Sequence, residues 1–387
     1  MPSAIEFHDV DILFSREPGR AGARAIREAL AKLDAGATRA DILASLQVTV
    51  GVAGATLNVA QGEISVMMGL SGSGKSTLLR AANGLNRVTR GRVLLRDGAS
   101  LVDVASADAA TLRHLRRRRV AMVFQQFALL PWRTVRENVG FGLELRGEPP
   151  ADLRRSVEAK LELVGLTQWA ERRVGELSGG MQQRVGLARA FATEADILLM
   201  DEPFSALDPL IRGKLQDELL ALQERVTKTI LFVSHDLDEA LRIGDTISIL
   251  QNGRIVQTGA ARDIVLRPAD DHVAEFVRHM NPLNVLTGEM IMLGLAEAAG
   301  RYALQLGDAA DRCRLSGDTR RILQVDPARA LPDLAGAMAA APCSASLKDI
   351  IALHQASDAP VLLAADGTLR GVCGPDEIIR ALAGRAA

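Results

Sequence analysis

Cysteine is scarce in this 387-residue sequence: only Cys313, Cys343 and Cys373 occur. An odd number without C-x-x-C spacing excludes a disulfide framework and a thiolate zinc site. The three read as reduced, buried, small apolar residues. A charge excess of either sign is also missing. The 46 Lys and Arg face 47 Asp and Glu, a net charge of −1, so the chain as a whole has no positive field for nucleic acid. No apolar run reaches the roughly 18 residues that a membrane span requires. The opening MPSAIEFHDV has no basic stretch leading into an apolar one, which reads as no secretory signal. No repeat with a period of about 20–50 residues and no low-complexity tract is found. What is present is ordinary globular composition, 48% hydrophobic and 24% charged. The length suits roughly two or three domains. These traits lead us to expect a soluble intracellular protein with a large core.

Short apolar runs followed by Gly-rich turns and helical stretches recur up to about residue 265, an α/β pattern. Ile64–Met68, Ile197–Met200 and Ile230–Val233 are apolar on both faces, as buried parallel strands are. Ile211, Leu215, Leu219, Leu222 and Val226 fall at helical spacing. Asn252-Gly253 between Ile247–Leu250 and Arg254–Val256 predicts a type I′ hairpin turn. Residues 21–45 read as a helical pair with Ile26, Leu30 and Leu33 on one stripe. Gly36 breaks the pair and Thr38 starts the second helix. After Asn281-Pro282 the sequence predicts helix Leu347–Gln355, strand Val361–Ala364, a turn at Asp366-Gly367, strand Leu369–Val372 and helix Asp376–Ala383.

The strongest local signal is Gly69-Leu70-Ser71-Gly72-Ser73-Gly74-Lys75-Ser76, followed by Thr77. A flexible Gly/Ser linker would share the composition, but not the strand before it and the helix after it. Glycines let successive N–H groups converge on phosphate oxygens, and the helix N-terminus adds positive potential. Lys75 would reach the β- and γ-phosphates and Ser76 would ligate Mg²⁺. A second buried strand ends in Asp201-Glu202. Asp201 is placed to hold Mg²⁺ through water, and Glu202 to orient and deprotonate an attacking water. Between them lies Leu177-Ser178-Gly179-Gly180-Met181-Gln182-Gln183-Arg184. Ser178 reads as a helix N-cap, and the Ser-Gly-Gly start as a further anion-binding end. One chain with a complete phosphate loop has no use for it, so it would serve a nucleotide held by another copy.

The order of phosphate loop, Phe124-Gln125, LSGGMQQR, ILLMDE, Ser205-Ala206-Leu207-Asp208 and Ser234-His235-Asp236 resembles the ABC-transporter ATPase family. The resemblance covers roughly residues 4–265. It implies a P-loop NTPase with a mostly parallel core sheet, an antiparallel β subdomain and a helical subdomain carrying the signature motif. It further implies a homodimer that sandwiches two ATP molecules. Lys75 of one copy would face Ser178, Gly179 and Gly180 of the other, with Asp208 crossing the interface. Gln125 would sense the γ-phosphate, Mg²⁺ and lytic water, and His235 would contact the γ-phosphate. Counting back without a gap puts Leu46 at the family's adenine-stacking position. Treating 15–45 as an insertion puts Phe14 there, the preferred choice.

An insertion at this place, with VFQQFALLPWRTVRENV, DEPFSALDPLIR and SHDLDEALRIGD, is similar to ATPases of quaternary-amine importers. The resemblance implies residues 1–265 as the ATPase domain, with 126–190 as its helical signature subdomain. A linker over 266–282 and a degenerate CBS-like regulatory domain over 283–387 would follow. Residues 281–286 resemble the choline branch, so choline is expected first and glycine betaine second. Separate permease subunits would be the direct partners, with Gln126 to Val139 lining their groove and Trp132 and Arg133 exposed there. A periplasmic amine-binding protein would be the indirect partner. The chain would sit peripherally on the cytoplasmic face of the bacterial inner membrane and bind no nucleic acid. The rival reading is a soluble ABC ATPase not coupled to transport.

Overall fold

β1 (Ser3–Ser15) and β2 (Val48–Ala60) pair antiparallel from Ser3↔Ala60 to Ser15↔Val48, so residues 16–47 leave the hairpin at one end. In the computed structural model this excursion forms α1 (Gly19–Asp34) and α2 (Arg39–Leu46). The chain divides into two compact units, Met1–Ala260 and Ala261–Ala387. The structure describes residues 2–278, 283, 286–301, 339–357, 359–365 and 368–383.

The excursion has a core of its own. Ala29, Leu33 and Ile42 pack on Leu13, Val48, Val50 and Ala53, with Ile26, Leu30 and Leu46 partly buried against them. Beyond it, β4 (Arg90–Asp97) and β5 (Ser100–Asp103) complete a four-stranded sheet of order β2-β1-β4-β5.

The second sheet of this unit has six strands. β3 (Ile64–Met68), β7 (Ile197–Asp201) and β8 (Thr229–Val233) are buried at every residue, as the unbroken apolar runs predict for parallel strands covered on both sides. β6 (Val120–Val123), β9 (Thr246–Gln251) and β10 (Arg254–Gly259) complete the order β10-β9-β3-β8-β7-β6. All neighbours are parallel except β9 and β10. The β9–β10 turn is Asn252-Gly253 with φ of 49° and 81°, the two positive values that a type I′ turn needs. Helix α3 (Lys75–Ala82) lies in one core with both sheets: Leu78 and Leu79 pack with Ile5, Phe7 and Leu95 and with Met67, Leu199 and Leu231.

The helical stretch comprises α4 (Ala109–Arg118), α5 (Val135–Arg146), α6 (Pro150–Leu163) and α7 (Gly179–Ala192). Two more helices, α8 (Pro209–Val226) and α9 (Leu237–Ile243), return to the parallel sheet. Leu215 and Leu219 of α8 are buried, but Val226 is exposed. The apolar stripe ends before the helix does, at a left-handed C-cap on Thr227.

The second unit is α+β. α10 (Ala261–Leu266) and α11 (Asp271–Arg278) open it. The stretch expected as a linker therefore contains a helix, started by Asp270 Oδ1 accepting from the Val273 amide at 2.9 Å. Further on come α12 (Gly288–Ile291), β11 (Leu293–Gly294), α13 (Leu295–Arg301) and β12 (Ala340–Pro342). α14 (Leu347–Ser357), β13 (Val361–Ala365), β14 (Thr368–Cys373) and α15 (Pro375–Leu382) close it. The sheet order is β11-β14-β13-β12, and Leu362, Leu369, Val372 and Ala298 form its core. Cys343 and Cys373 are free and buried. Cys313, the Asp366-Gly367 turn and most of the 281–286 junction lie outside the described residues.

Candidate functional site

The loop 69–74 leaves β3 and enters α3 through backbone that only glycine adopts comfortably. Gly69, Gly72 and Gly74 have φ of 142°, 77° and 106°. A Cβ on Gly69 would lie 2.1 Å from the Leu250 carbonyl, and one on Gly74 2.5 Å from that of Gly51. The Asn252-Gly253 turn braces the loop: the Gly253 amide donates to Ser73 O at 2.9 Å, and the Ala53 amide donates to Gly253 O at 2.8 Å. Ser71 is exposed, whereas Ser73 and Lys75 are buried. The Lys75 ammonium donates to the Gly69 and Leu70 carbonyls at 2.7 and 3.0 Å, with Ser73 Oγ at 3.5 Å. Burial lowers its pKa, opposed by the charges of Glu202 and Asp201.

Parallel strands bring the acids to this loop. Ser76 Oγ donates to Asp201 Oδ1 at 2.6 Å across 125 residues of sequence. Asp201 Oδ2 accepts from Arg80 Nη2 at 2.8 Å and Nε at 3.2 Å. A hydroxyl and a carboxylate this close are hard oxygen donors, the kind Mg²⁺ takes alongside substrate phosphates and water. No group of three or more His, Cys, Asp or Glu that could hold a metal ion occurs among the described residues. Sequence reading missed Arg80. The signal was there, since it stands four residues after Ser76 on the same helix face.

Glu202 follows in a left-handed turn, φ 48°, a conformation a non-glycine residue holds only where neighbours over-determine it. Its amide donates to Val233 O at 3.1 Å, and its carbonyl accepts from Gln183 Nε2 at 3.2 Å and Ser205 Oγ at 3.1 Å. Its carboxylate Oε2 lies 3.1 Å from His235 Nδ1 and accepts from Gln125 Nε2 at 3.3 Å. Three expected site residues from three strand ends thus meet at one carboxylate. Ser234, just before His235, is fixed by bonds to Met67 O at 3.2 Å and Glu239 Oε2 at 2.5 Å. Burial raises the pKa of Glu239, partly offset by hydrogen bonds from Ser234 and Gln216.

Phe14 is 43% exposed. Its ring and the Thr77 methyl would each lie 3.0 Å from a Cβ on Gly51, so the ring borders the first turn of α3. Leu46 instead packs inside the α1–α2 core. Ser178 caps α7 by accepting from the Met181 amide at 3.4 Å. Gly179 faces open space, whereas a Cβ on Gly180 would stand 3.4 Å from the Ala206 carbonyl. Asp208 caps α8, accepting from the Ile211 amide at 3.0 Å.

Two further features escaped the sequence reading. Gln183 of α7, 1% exposed, holds Glu202 O with its amide and the Ala206 amide with its oxygen, at 3.2 and 3.1 Å. It lies one turn after Gly179, on the same face. After Gln125, Phe127 and Ala128 both have positive φ, 60° and 46°. Arg189 of α7 donates to both carbonyls at 2.9 and 2.7 Å, and burial lowers its pKa. Nothing in Phe127-Ala128 announces left-handed backbone. Nearby, Trp132 is 68% exposed. Arg133 is not: it pairs with Glu144 and lies over the Phe141 ring, 4.9 Å from its centroid.

The chain is similar to known proteins. The ABC transporter family model matches residues 52–205. The glycine betaine/proline betaine transport system ATP-binding protein ProV of Escherichia coli K12 is 47% identical over 291 residues, 75% of this chain and 70% of that protein. Glycine betaine/carnitine transport ATP-binding protein GbuA of Listeria monocytogenes is 48% identical over 67% of this chain and 65% of its own. OpuAA, a glycine betaine transport ATP-binding protein of Bacillus subtilis, is 48% identical over 69% of this chain and 63% of its own. Among solved structures, the dimeric ATP-binding cassette MJ0796, in a post-hydrolysis state bound to ADP and Pi, superimposes with a TM-score of 0.56. It is 28% identical over 66% of this chain and 98% of that chain.

Proposed function

This chain belongs to the ATP-binding subunits of ABC transporters, with those of glycine betaine and proline betaine importers, and from that membership and the site we propose how it works. It hydrolyses ATP to drive uptake of a quaternary amine through separate permease subunits. The relatives' names carry glycine betaine, proline betaine and carnitine. Glycine betaine is therefore the cargo we put first, with choline in the same class. The carrying observation is the convergence of Lys75, the Ser76–Asp201 pair and the Glu202–His235–Gln125 cluster at neighbouring strand ends.

Adenine stacks on Phe14 and the triphosphate lies on the amides of the loop 69–77, with Lys75 on its outer phosphates. Ser76 and Asp201 would hold Mg²⁺ with the oxygen of Gln125. Bound there, the ion would neutralise charge developing on the transferred phosphoryl group. Glu202 orients the attacking water and takes its proton, while His235 holds the Glu202 carboxylate and contacts the γ-phosphate. A second copy supplies Ser178, Gly179 and Gly180 to that phosphate and Asp208 to the interface. Leu210, 82% exposed two residues after Asp208, and Leu70, 64% exposed in the phosphate loop, are apolar groups that such a face would cover. Trp132 stands in the stretch proposed to meet a permease. No helix among the described residues is long and apolar enough to cross a membrane. The subunit would sit peripherally at the cytoplasmic face of the inner membrane. A surface amine-binding protein would complete the system, and residues 283–387 would form its CBS-like appendage.

The test is Glu202→Gln, which keeps the side chain's shape and its neighbours but removes the base. Phosphate release should fall at least ~10²-fold, while one ATP per chain stays bound and dimers accumulate. Hydrolysis at the native rate would overturn the assignment.

A further inference from the structure

The helices inserted between β1 and β2 reach the phosphate loop. Their placement is rigid for identifiable reasons. Arg90 donates from Nη1 and Nη2 to Asp34, at the end of α1, at 2.8 and 2.7 Å, and from Nε to the buried Asp11 at 2.6 Å. A capping box fixes the first turn of α2: the Asp41 amide donates to Thr38 Oγ1 at 3.2 Å, and the Thr38 amide donates to Asp41 Oδ2 at 3.1 Å. Arg39 is the first residue of that turn. Its Nη1 donates to the carbonyl of Gly72 at 3.3 Å, in the middle of the phosphate loop.

The electrostatics of this contact are incomplete. Burial lowers the Arg39 pKa, and among the described residues no carboxylate acts to raise it. A guanidinium drawn partly out of water, with one long bond to a neutral carbonyl, is poorly compensated. Compare Arg90, which has two carboxylates, and Arg80, which has Asp201. The group that Arg39 lacks is an anion, and the turn it touches is the one that the phosphate-loop reading assigns to the phosphates of a nucleotide. Gly72 O and the amides that follow it belong to a single tight turn. A guanidinium resting on the former is therefore within a side-chain movement of a phosphate on the latter.

We propose that Arg39, carried by the inserted helical pair, is an additional ligand for the phosphates of the bound nucleotide. In this structure it rests on Gly72 O, and with a nucleotide bound it would move to a phosphate oxygen with a charge-assisted bond. The inference rests on the phosphate-loop reading above and adds a residue outside residues 69–77.

The experiment is calorimetric titration of the full chain, without metal, using ATP, ADP and adenosine as probes. Arg39→Gln should weaken ATP and ADP about 5- to 20-fold, with Arg39→Lys in between. Adenosine, which has no phosphate, should bind Arg39→Gln and the unaltered protein equally. Added salt should weaken ATP binding less in Arg39→Gln than in the unaltered chain. Unchanged ATP and ADP affinities in Arg39→Gln would overturn the proposal. So would an equal loss for adenosine, which would make Arg39 a prop for the adenine side. Lys75→Gln separates the two levels: if it keeps full triphosphate affinity, the phosphate-loop reading itself fails. If Lys75→Gln loses affinity while Arg39→Gln does not, only the role of Arg39 falls.

Discussion

Arg80→Met tests whether the Asp201 carboxylate is held ready by a protein cation. The Asp201 side chain is 0% exposed; among the described residues its side-chain hydrogen-bond partners are Ser76 Oγ and Arg80, and Lys75 is a further cation close enough to interact with its charge. Deleting one member of a buried ion pair costs about 3–5 kcal/mol, because the other charge stays desolvated. Arg80 is itself 39% exposed, so water screens the pair and about 2 kcal/mol is the fitting magnitude. In a unit of this size, 1 kcal/mol shifts the melting temperature by roughly 2–4 °C, so a loss of about 4–8 °C is expected in EDTA. Mg²⁺ with ADP then offers Asp201 a cation that the variant lacks. Magnesium-ADP should therefore raise the melting temperature of Arg80→Met by more than it raises that of the unaltered protein. The assay is thermal unfolding in EDTA, in ADP with EDTA, and in ADP with Mg²⁺. Equal melting temperatures in EDTA, or equal increments from magnesium-ADP, would refute the account of Arg80 as the compensating charge.

Ala128→Gly should stabilise the first unit by about 0.5–1 kcal/mol. It removes the ~1–2 kcal/mol cost of a non-glycine residue at φ 46° but returns backbone freedom to the unfolded chain; a lower melting temperature would show that Arg189 holds no strained turn. Burial, with the Glu377 charge beside it, pushes the Cys373 thiol up to about 12. The folded chain thus keeps a proton that the unfolded chain sheds from about pH 8.5, and stability must fall as pH rises through that window. Urea midpoints measured from pH 7.5 to 10 should decline less in Cys373→Ala, and an identical slope in both proteins would count against this buried thiol.

Local signals carried the reading well where sequence and space coincide. β3, the glycine turn and α3 are contiguous, so residue types from Ile64 to Ala82 state their own geometry. The same holds for Asn252-Gly253 and for the Thr38–Asp41 box, whose partners are one to three residues apart. The excursion expected over 15–45 needed one longer inference, and the pairing of Ser15 with Val48 puts it at residues 16–47; the adenine-stacking role of Phe14 built on it is a proposal. The misses have the opposite character. Arg80 meets Asp201 across 121 residues, and Arg39 meets Gly72 across 33. Helical spacing sets Arg80 on the Ser76 face, but the meeting with Asp201, like that of Arg39 with Gly72, depends on how distant segments come together. Arg133 was expected to be exposed because the family resemblance puts it in a permease-facing groove, yet Glu144 of the following helix α5 claims it.

Gln183 shows why part of the site was hidden in plain sequence. Its neighbours 177–182 read as an anion site for another copy, which directs attention outward from α7. The Gln183 side chain points the other way, into the turn that holds Glu202 at φ 48°, and bridges Glu202 O and the Ala206 N–H. A buried amide with both ends satisfied fixes the spacing of the two groups it joins. Any shift of α7 must therefore be felt at the backbone of Glu202 and at the segment leading to Asp208. One helix thus presents its N-terminus outward and grips the acid of its own site through its fifth residue, so the two halves of the proposed reaction face are mechanically one piece.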